Sequence, residues 1–185
     1  MLTRRSQIKS YGGSGTVSNV VLENFIGHSN AYSLDIDQYW GKQTEGAGDG
    51  VQLSNIKITN WTGTEANGAS RGPIKLNCAD GAPCTGIDIS DFNMWTETGS
   101  SQFYSCRSAY SDAKNPGFCL KSGTGSAYAA TTTTVTVAPT GYHAPTLVDD
   151  IKTPTWGTAS PIPIPTFPAS FFPGTKPLKP LAAKK

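Results

Sequence analysis

No stretch of these 185 residues is apolar for long enough to cross a membrane as a helix, and Met1 to Gly15 lacks the apolar centre of a secretory leader. Histidine is scarce. His28 and His143 are the only two, and neither stands where it would complete a zinc site. The apolar fraction is lean at 37 %, and the composition leans instead to Gly, Ser, Thr, Asn and Pro. Such a chain favours strands and turns over helices, so an all-β fold is expected, and its length suits one core.

The formal charge of +2 hides an uneven layout. Arg4, Arg5 and Lys9 stand at one end, and Lys176, Lys179, Lys184 and Lys185 at the other. Between them 8 basic residues face 13 acidic ones, a net of −5. A phosphate backbone would be repelled by that body, which excludes nucleic acid as a partner. A neutral or weakly acidic polymer is easier to accommodate.

The four cysteines carry the first positive signal. Cys78 and Cys84 are separated by five residues and Cys106 and Cys119 by twelve, spacings too wide for the close pairs of a structural zinc site. Two local disulfides are expected, Cys78 with Cys84 around Asp80-Gly81 and Cys106 with Cys119 around Asn115-Pro116-Gly117. Asn60-Trp61-Thr62 is a glycosylation sequon on Asn60. Disulfides and a sequon indicate a secreted, extracellular protein. The leaderless start is then expected to be that of a fragment.

Organisation shows as an internal repeat. Asn19-Val20-Val21-Leu22-Glu23-Asn24-Phe25 is echoed by Asn55-Ile56-Lys57-Ile58-Thr59-Asn60-Trp61 and by Gly86-Ile87-Asp88-Ile89-Ser90-Asp91-Phe92, at spacings of 36 and 31 residues. Each reads as a short strand closed by Asn or Asp and an aromatic residue. A second series lies between them, at 32–37, 72–78 and 102–106. A right-handed parallel β-helix explains both series, with Val20, Ile56 and Ile87 in one interior column, Leu22, Ile58 and Ile89 in the next, and Val21, Lys57 and Asp88 facing out. A β-sandwich of similar strands is the competing reading. Residues 1–123 are taken as coils and 124–185 as an extended Thr/Ser/Pro-rich tail. Val135, Val137, Trp156, Phe167, Phe171 and Phe172 would anchor that tail.

Together "IKSYGGSGTVSNVVLENFIGHSNAYSLDIDQYW", "GVQLSNIKITNWTGTEANG", "CADGAPC", "SCRSAY" and "SPIPIPTFPASFFPG" resemble the C-terminal part of fungal rhamnogalacturonan hydrolases, of the polygalacturonase family, glycoside hydrolase family 28. The resemblance implies a secreted parallel β-helix, monomeric in its intact parent, that cleaves pectic polysaccharide, galacturonan or rhamnogalacturonan, by inverting hydrolysis without metal or organic cofactor. Inversion needs one carboxylic acid to protonate the leaving oxygen and one carboxylate to activate water. The resemblance puts those acids in motifs upstream of an Arg-Ile-Lys motif. Here that motif stands as Gln7-Ile8-Lys9, without its Arg.

The resemblance also implies substrate-binding roles for Lys9, as a point charge for a sugar carboxylate or hydroxyl, and for Tyr39, as a ring and hydroxyl near the same subsite. Asp35 and Asp37 are the internal rival. Two apart on a strand, they share one face at about 6 to 7 Å, which overlaps an inverting pair's separation. Any Asp-x-Asp strand does the same, so no catalytic residue is assigned. His28 reads as a turn residue after Gly27, with a cleft residue as the alternative. "QIKSYGGSG" lacks the Gly-Lys-Ser/Thr ending of a phosphate loop, and its glycines read as a turn between coils. The alternative to a hydrolase is a non-catalytic carbohydrate-binding or structural β-solenoid. Exposed interior residues near Val20 and Leu22 are expected to make the chain poorly soluble alone.

Overall fold

The computed structural model describes residues 6–41, 44–68 and 72–146. The chain divides into the units Met1–Ile151 and Lys152–Lys185, and every described residue belongs to the first. The expected anchors Trp156, Phe167, Phe171 and Phe172 lie outside the described residues.

Ten strands and no helix occur among the described residues. They are β1 (Ser6–Lys9), β2 (Thr16–Asn30), β3 (Leu34–Asp37), β4 (Gln52–Glu65), β5 (Ile74–Asn77), β6 (Thr85–Thr96), β7 (Gln102–Arg107), β8 (Tyr110–Ser111), β9 (Lys121–Ser122) and β10 (Thr131–Val135). Through β7 the chain alternates between two sheets, with odd strands in the order β1-β3-β5-β7, extended by β10 beside β7, and even strands in the order β2-β4-β6. β8 and β9 form a third, small sheet. All strand pairs are parallel except β10 with β7. Parallel pairing is what distinguishes this arrangement from the antiparallel sheets of a sandwich.

The interior columns follow from strict alternation. Val20 pairs with Ile56 and Ile56 with Ile87, while Leu22 pairs with Ile58 and Ile58 with Ile89. Ile56, Ile58, Ile87 and Ile89 are buried, whereas Val21, Lys57 and Asp88 are exposed. β-Branched side chains suit this stacking because their stiff rotamers fill a pleated, half-buried surface.

One local expectation is corrected. The motif's Asn and Asp do not close the strands: β2, β4 and β6 continue past Asn24, Asn60 and Asp91. Those three residues have φ of 62°, 55° and 49°, and Asn19, Asn55 and Gly86 have φ of 57°, 51° and 60°. Asn and Asp tolerate this left-handed conformation better than other side chains, so they bend the strand where it must change direction. Because neighbours bend at the same level, the parallel ladder resumes beyond each corner. Asn60 Nδ2 donates to Asn24 Oδ1 at 2.7 Å, and Asn55 Nδ2 donates likewise to Asn19 Oδ1.

A second difference lies in the Thr-rich segment. Thr131–Val135 is the strand β10, antiparallel to β7, and Val135 packs against the core. Val137 is no anchor: it lies past the end of β10 at Val135 and is 74 % exposed.

β2 ends its sheet and exposes Val17, Val21, Phe25 and Ile26, with Val21 57 % accessible. A long edge with unpaired backbone groups and apolar side chains recruits further strands. Concentration-dependent self-association is expected in light scattering after size exclusion, and Ile26→Lys should shift it toward monomer. An unchanged profile would remove β2 as the contact.

Candidate functional site

Alternation also decides which side chains leave the core on β1, β3, β5 and β7. Leu34, Ile36, Ile74, Leu76, Tyr104 and Cys106 are buried in the core, and Ile8 packs against them. The intervening positions therefore form two outward rows, Gln7-Asp35-Lys75-Ser105 and Lys9-Asp37-Asn77-Arg107, each in register across four strands.

The two aspartates face outward yet are not open to solvent. Asp35 is 3 % and Asp37 6 % exposed. Asp37 accepts from Lys75 Nζ at 2.7 Å, from Asn77 Nδ2 at 3.1 Å and from the Tyr39 N–H at 3.1 Å. Burial alone would raise the Asp37 carboxyl, but these hydrogen bonds outweigh it and hold the group below its ordinary range. Asp35 accepts from Gln7 Nε2 at 2.8 Å, and its Oδ1 has no hydrogen-bond partner. Burial pushes the Asp35 carboxyl up against the nearby Lys75 charge, with Asp37 adding to the rise. The pair is split in acidity as an acid–base pair would be. It is nevertheless sealed and tied to one lysine, so water and a sugar oxygen lack access.

Lys9 and Tyr39 are brought to the same end of this sheet. The Ser10 N–H donates to the Asp37 carbonyl and the Trp40 N–H to the Ser10 carbonyl, both at 3.1 Å, which sets the end of β1 beside Tyr39-Trp40. Lys9 Nζ lies 3.5 Å from the centroid of the Trp40 ring. The guanidinium carbon of Arg107 lies 4.0 Å from the Tyr39 centroid, and Tyr39 Oη accepts from the Asp80 N–H at 2.9 Å. One face of the Tyr39 ring and its hydroxyl are thus engaged within the protein. A sugar would meet only its other face.

The disulfide Cys78–Cys84 closes the loop that delivers Asp80, with Cα atoms 5.7 Å apart. Arg107 Nε and Nη2 both donate to the Asp80 carboxylate, and Ser108 Oγ donates to it at 2.7 Å. The Arg107 bond is the main reason the Asp80 carboxyl falls to about 2. The second disulfide, Cys106–Cys119, ties β7 to the segment carrying Phe118. Both pairings are those the spacing suggests, and all four cysteines are consumed. Among the described residues no three His, Cys, Asp or Glu side chains converge as a metal would require.

Other candidates sit elsewhere. His28 is in β2, at a register shift between Gly27 and Asn30, and so belongs to a strand of the other sheet and not to a turn. Asn60 is exposed at a corner of β4. Gly12 and Gly13, expected in a turn, have φ of 61° and 86°, but Gly12 instead pairs as a single parallel bridge with Gly46, whose carbonyl a Cβ on Gly12 would overlap. Sequence reasoning passed over Lys75, Trp40 and Arg107. The signal was available for Arg107, since alternation through Gln102–Arg107 buries Gln102, Tyr104 and Cys106 and leaves Arg107 outside.

The face thus offers fixed cations, amide donors and aromatic rings without an accessible carboxylate pair. It can hold a hydroxylated, anionic ligand more readily than it can move a proton.

Residues 5–114 match the glycosyl hydrolases family 28. The chain is 62 % identical over 179 residues to a probable rhamnogalacturonase B of Neosartorya fischeri, covering 96 % of this chain and 34 % of that protein. It is 59 % identical over 176 residues to a probable rhamnogalacturonase A of Aspergillus niger, and 58 % over 175 residues to rhamnogalacturonase A of Aspergillus aculeatus. Each of these two alignments covers 95 % of this chain, with 38 % and 39 % of the respective relatives. The chain therefore spans a third to two fifths of the length of these relatives. With more than half its residues matching the family pattern, the chain belongs to glycosyl hydrolase family 28.

Proposed function

We propose that this chain is part of a secreted hydrolase that cleaves pectic polysaccharide, and that it supplies a substrate-holding surface and not the acid–base pair. The names of the relatives support rhamnogalacturonan as the polymer. Two disulfides support an oxidising, extracellular compartment. The alternating parallel sheets support a right-handed parallel β-helix, with residues 1–123 as its coils and 124–185 as a tail joined to the sheet through β10.

One observation carries the assignment of roles. On the outward face of β1, β3, β5 and β7 the two aspartates are buried and tied down, whereas Lys9, half-buried on the edge strand β1, stands against the Trp40 ring. An ammonium meeting a uronate makes a charge-assisted hydrogen bond, worth about 1.5 to 3 kcal/mol, or roughly tenfold or more in affinity. Inverting hydrolysis would take its acid and base from other residues of the full-length protein.

The test measures binding and hydrolysis of rhamnogalacturonan and galacturonan by this chain. Binding without hydrolysis is expected, and Lys9→Ala should weaken it about tenfold. Hydrolysis by this chain that vanishes in Asp35→Asn or Asp37→Asn would overturn the reading.

A further inference from the structure

We propose that Arg107 is a specificity-determining residue that holds a second sugar carboxylate on the same outward face, three strands away from Lys9. The inference rests on the reading that this face takes an acidic polysaccharide, and extends it to a second binding position.

Register is the first support. Arg107 is the last member of the row Lys9-Asp37-Asn77-Arg107, so the two cations lie on one face, separated by three inter-strand steps of about 4.8 Å each. A polymer lying across the strands could place separate uronates at both. The second support is preorganisation. Two guanidinium nitrogens are committed to Asp80, the Tyr39 ring lies against the guanidinium plane, and Asp80 is itself fixed by Ser108, by its own N–H on Tyr39 Oη and by the flanking disulfide. A side chain held this way loses little rotamer freedom when an anion arrives.

Access and charge complete the case. The Arg107 side chain is 31 % exposed, so part of it reaches solvent. Asp80 already occupies one edge of the guanidinium, and its planar set of five donors leaves N–H groups for a second acceptor. Lysine at this position would offer a single point charge and would be spent on Asp80. The carboxylates on the face, Asp35, Asp37 and Asp80, are matched by Lys9, Lys75 and Arg107. Attraction therefore depends on where the cations are, and not on a net positive field.

Affinity would be measured by titration calorimetry with rhamnogalacturonan oligosaccharides and with the same oligosaccharides after carboxyl reduction. Arg107→Gln should lower affinity for the acidic form about tenfold and leave the reduced form unchanged. Asp80→Asn, which removes the competing negative charge while the Asn Oδ1 can still accept from Arg107 and keep it in place, should raise affinity for the acidic form severalfold while the chain keeps the Cys78–Cys84 loop. This second variant keeps the test decisive if Arg107→Gln fails to fold. Equal loss on both oligosaccharides would mean that Arg107 only positions Tyr39, and would overturn the proposal. So would weaker binding in Asp80→Asn. If the unaltered chain binds neither oligosaccharide, the reading of the face falls and this proposal with it. Retained wild-type binding with an indifferent Arg107→Gln sinks the proposal alone.

Discussion

Glu65→Gln is expected to remove most of the pH dependence of stability between about pH 4.5 and about pH 8. Glu65 ends β4 with no exposed surface, accepts a hydrogen bond from Ser33 Oγ and leaves its Oε2 without a partner. Burial raises its carboxyl from 4.5 to about 8, and the Ser33 bond offsets only part of that rise. No cation contributes, and the other nearby carboxylate, Glu97, is exposed and bonded to Ser29. The sign follows from proton binding. An acid whose folded value is raised lends full stability below its unfolded value, and that contribution is lost as pH climbs to the folded one. At about 1.4 kcal/mol per unit, the loss at alkaline pH amounts to a few kcal/mol. Glutamine mimics the protonated acid in shape, so the variant should match the wild type in acid and exceed it above about pH 8. Urea midpoints across that range would check this, and parallel pH profiles would refute it.

Trp61→Ala should be the most damaging single truncation, at about 3 to 5 kcal/mol. Trp61 is 2 % exposed and central in an aromatic column, stacked on Phe25 at 4.4 Å and on Phe92 at 5.7 Å between centroids. Phe118 continues the column edge-on to Phe92 and to Tyr104. The indole N–H donates to the Leu22 carbonyl at 3.0 Å, joining β4 to β2 through a side chain as well as the ladder. Alanine would leave a cavity between two rings and an unmatched carbonyl. Trp61→Phe keeps the stacking and drops the donor, so it should cost about 1 to 2 kcal/mol. Phe25→Ala, at a ring 37 % exposed, should cost less than Trp61→Ala. Equilibrium denaturation that puts Trp61→Ala within about 1 kcal/mol of the wild type would contradict this account.

The inward columns were legible because alternation is local: Val20, Ile56 and Ile87 could be matched by pattern alone, and their register follows that match. The disulfides were legible because short spacings leave few geometries. Corners were harder, since Asn24 and Asn60 carry the signal of a strand end while serving as left-handed bends inside one ladder. At the site, Lys9 and Tyr39 came from family likeness, which says nothing of local partners. That Arg107 covers one face of Tyr39 depends on a contact across 68 residues, set by the packing of β7 and the Cys78–Cys84 loop. The burial of Asp35 and Asp37 is a tertiary fact of the same kind. Composition gave no warning that Thr131–Val135 would pair with β7, because its outward threonines look like those of a loop.

The asparagine corner at Asn60 bears on the timing of the chain's own synthesis. The nitrogen a glycan would be attached to is the one that donates to Asn24 Oδ1 once β2 and β4 are paired. That side chain is exposed, yet in the folded protein its amide is already engaged and its backbone is fixed at a φ of 55°. A sugar-transferring enzyme acting on this sequon would have to reach it while the segment is still unpaired, with β2, made first, ready to capture it. If Asn60 is glycosylated, its occupancy would be a race between modification and strand pairing, and a variant that slows the pairing of β2 with β4 should carry more glycan, not less.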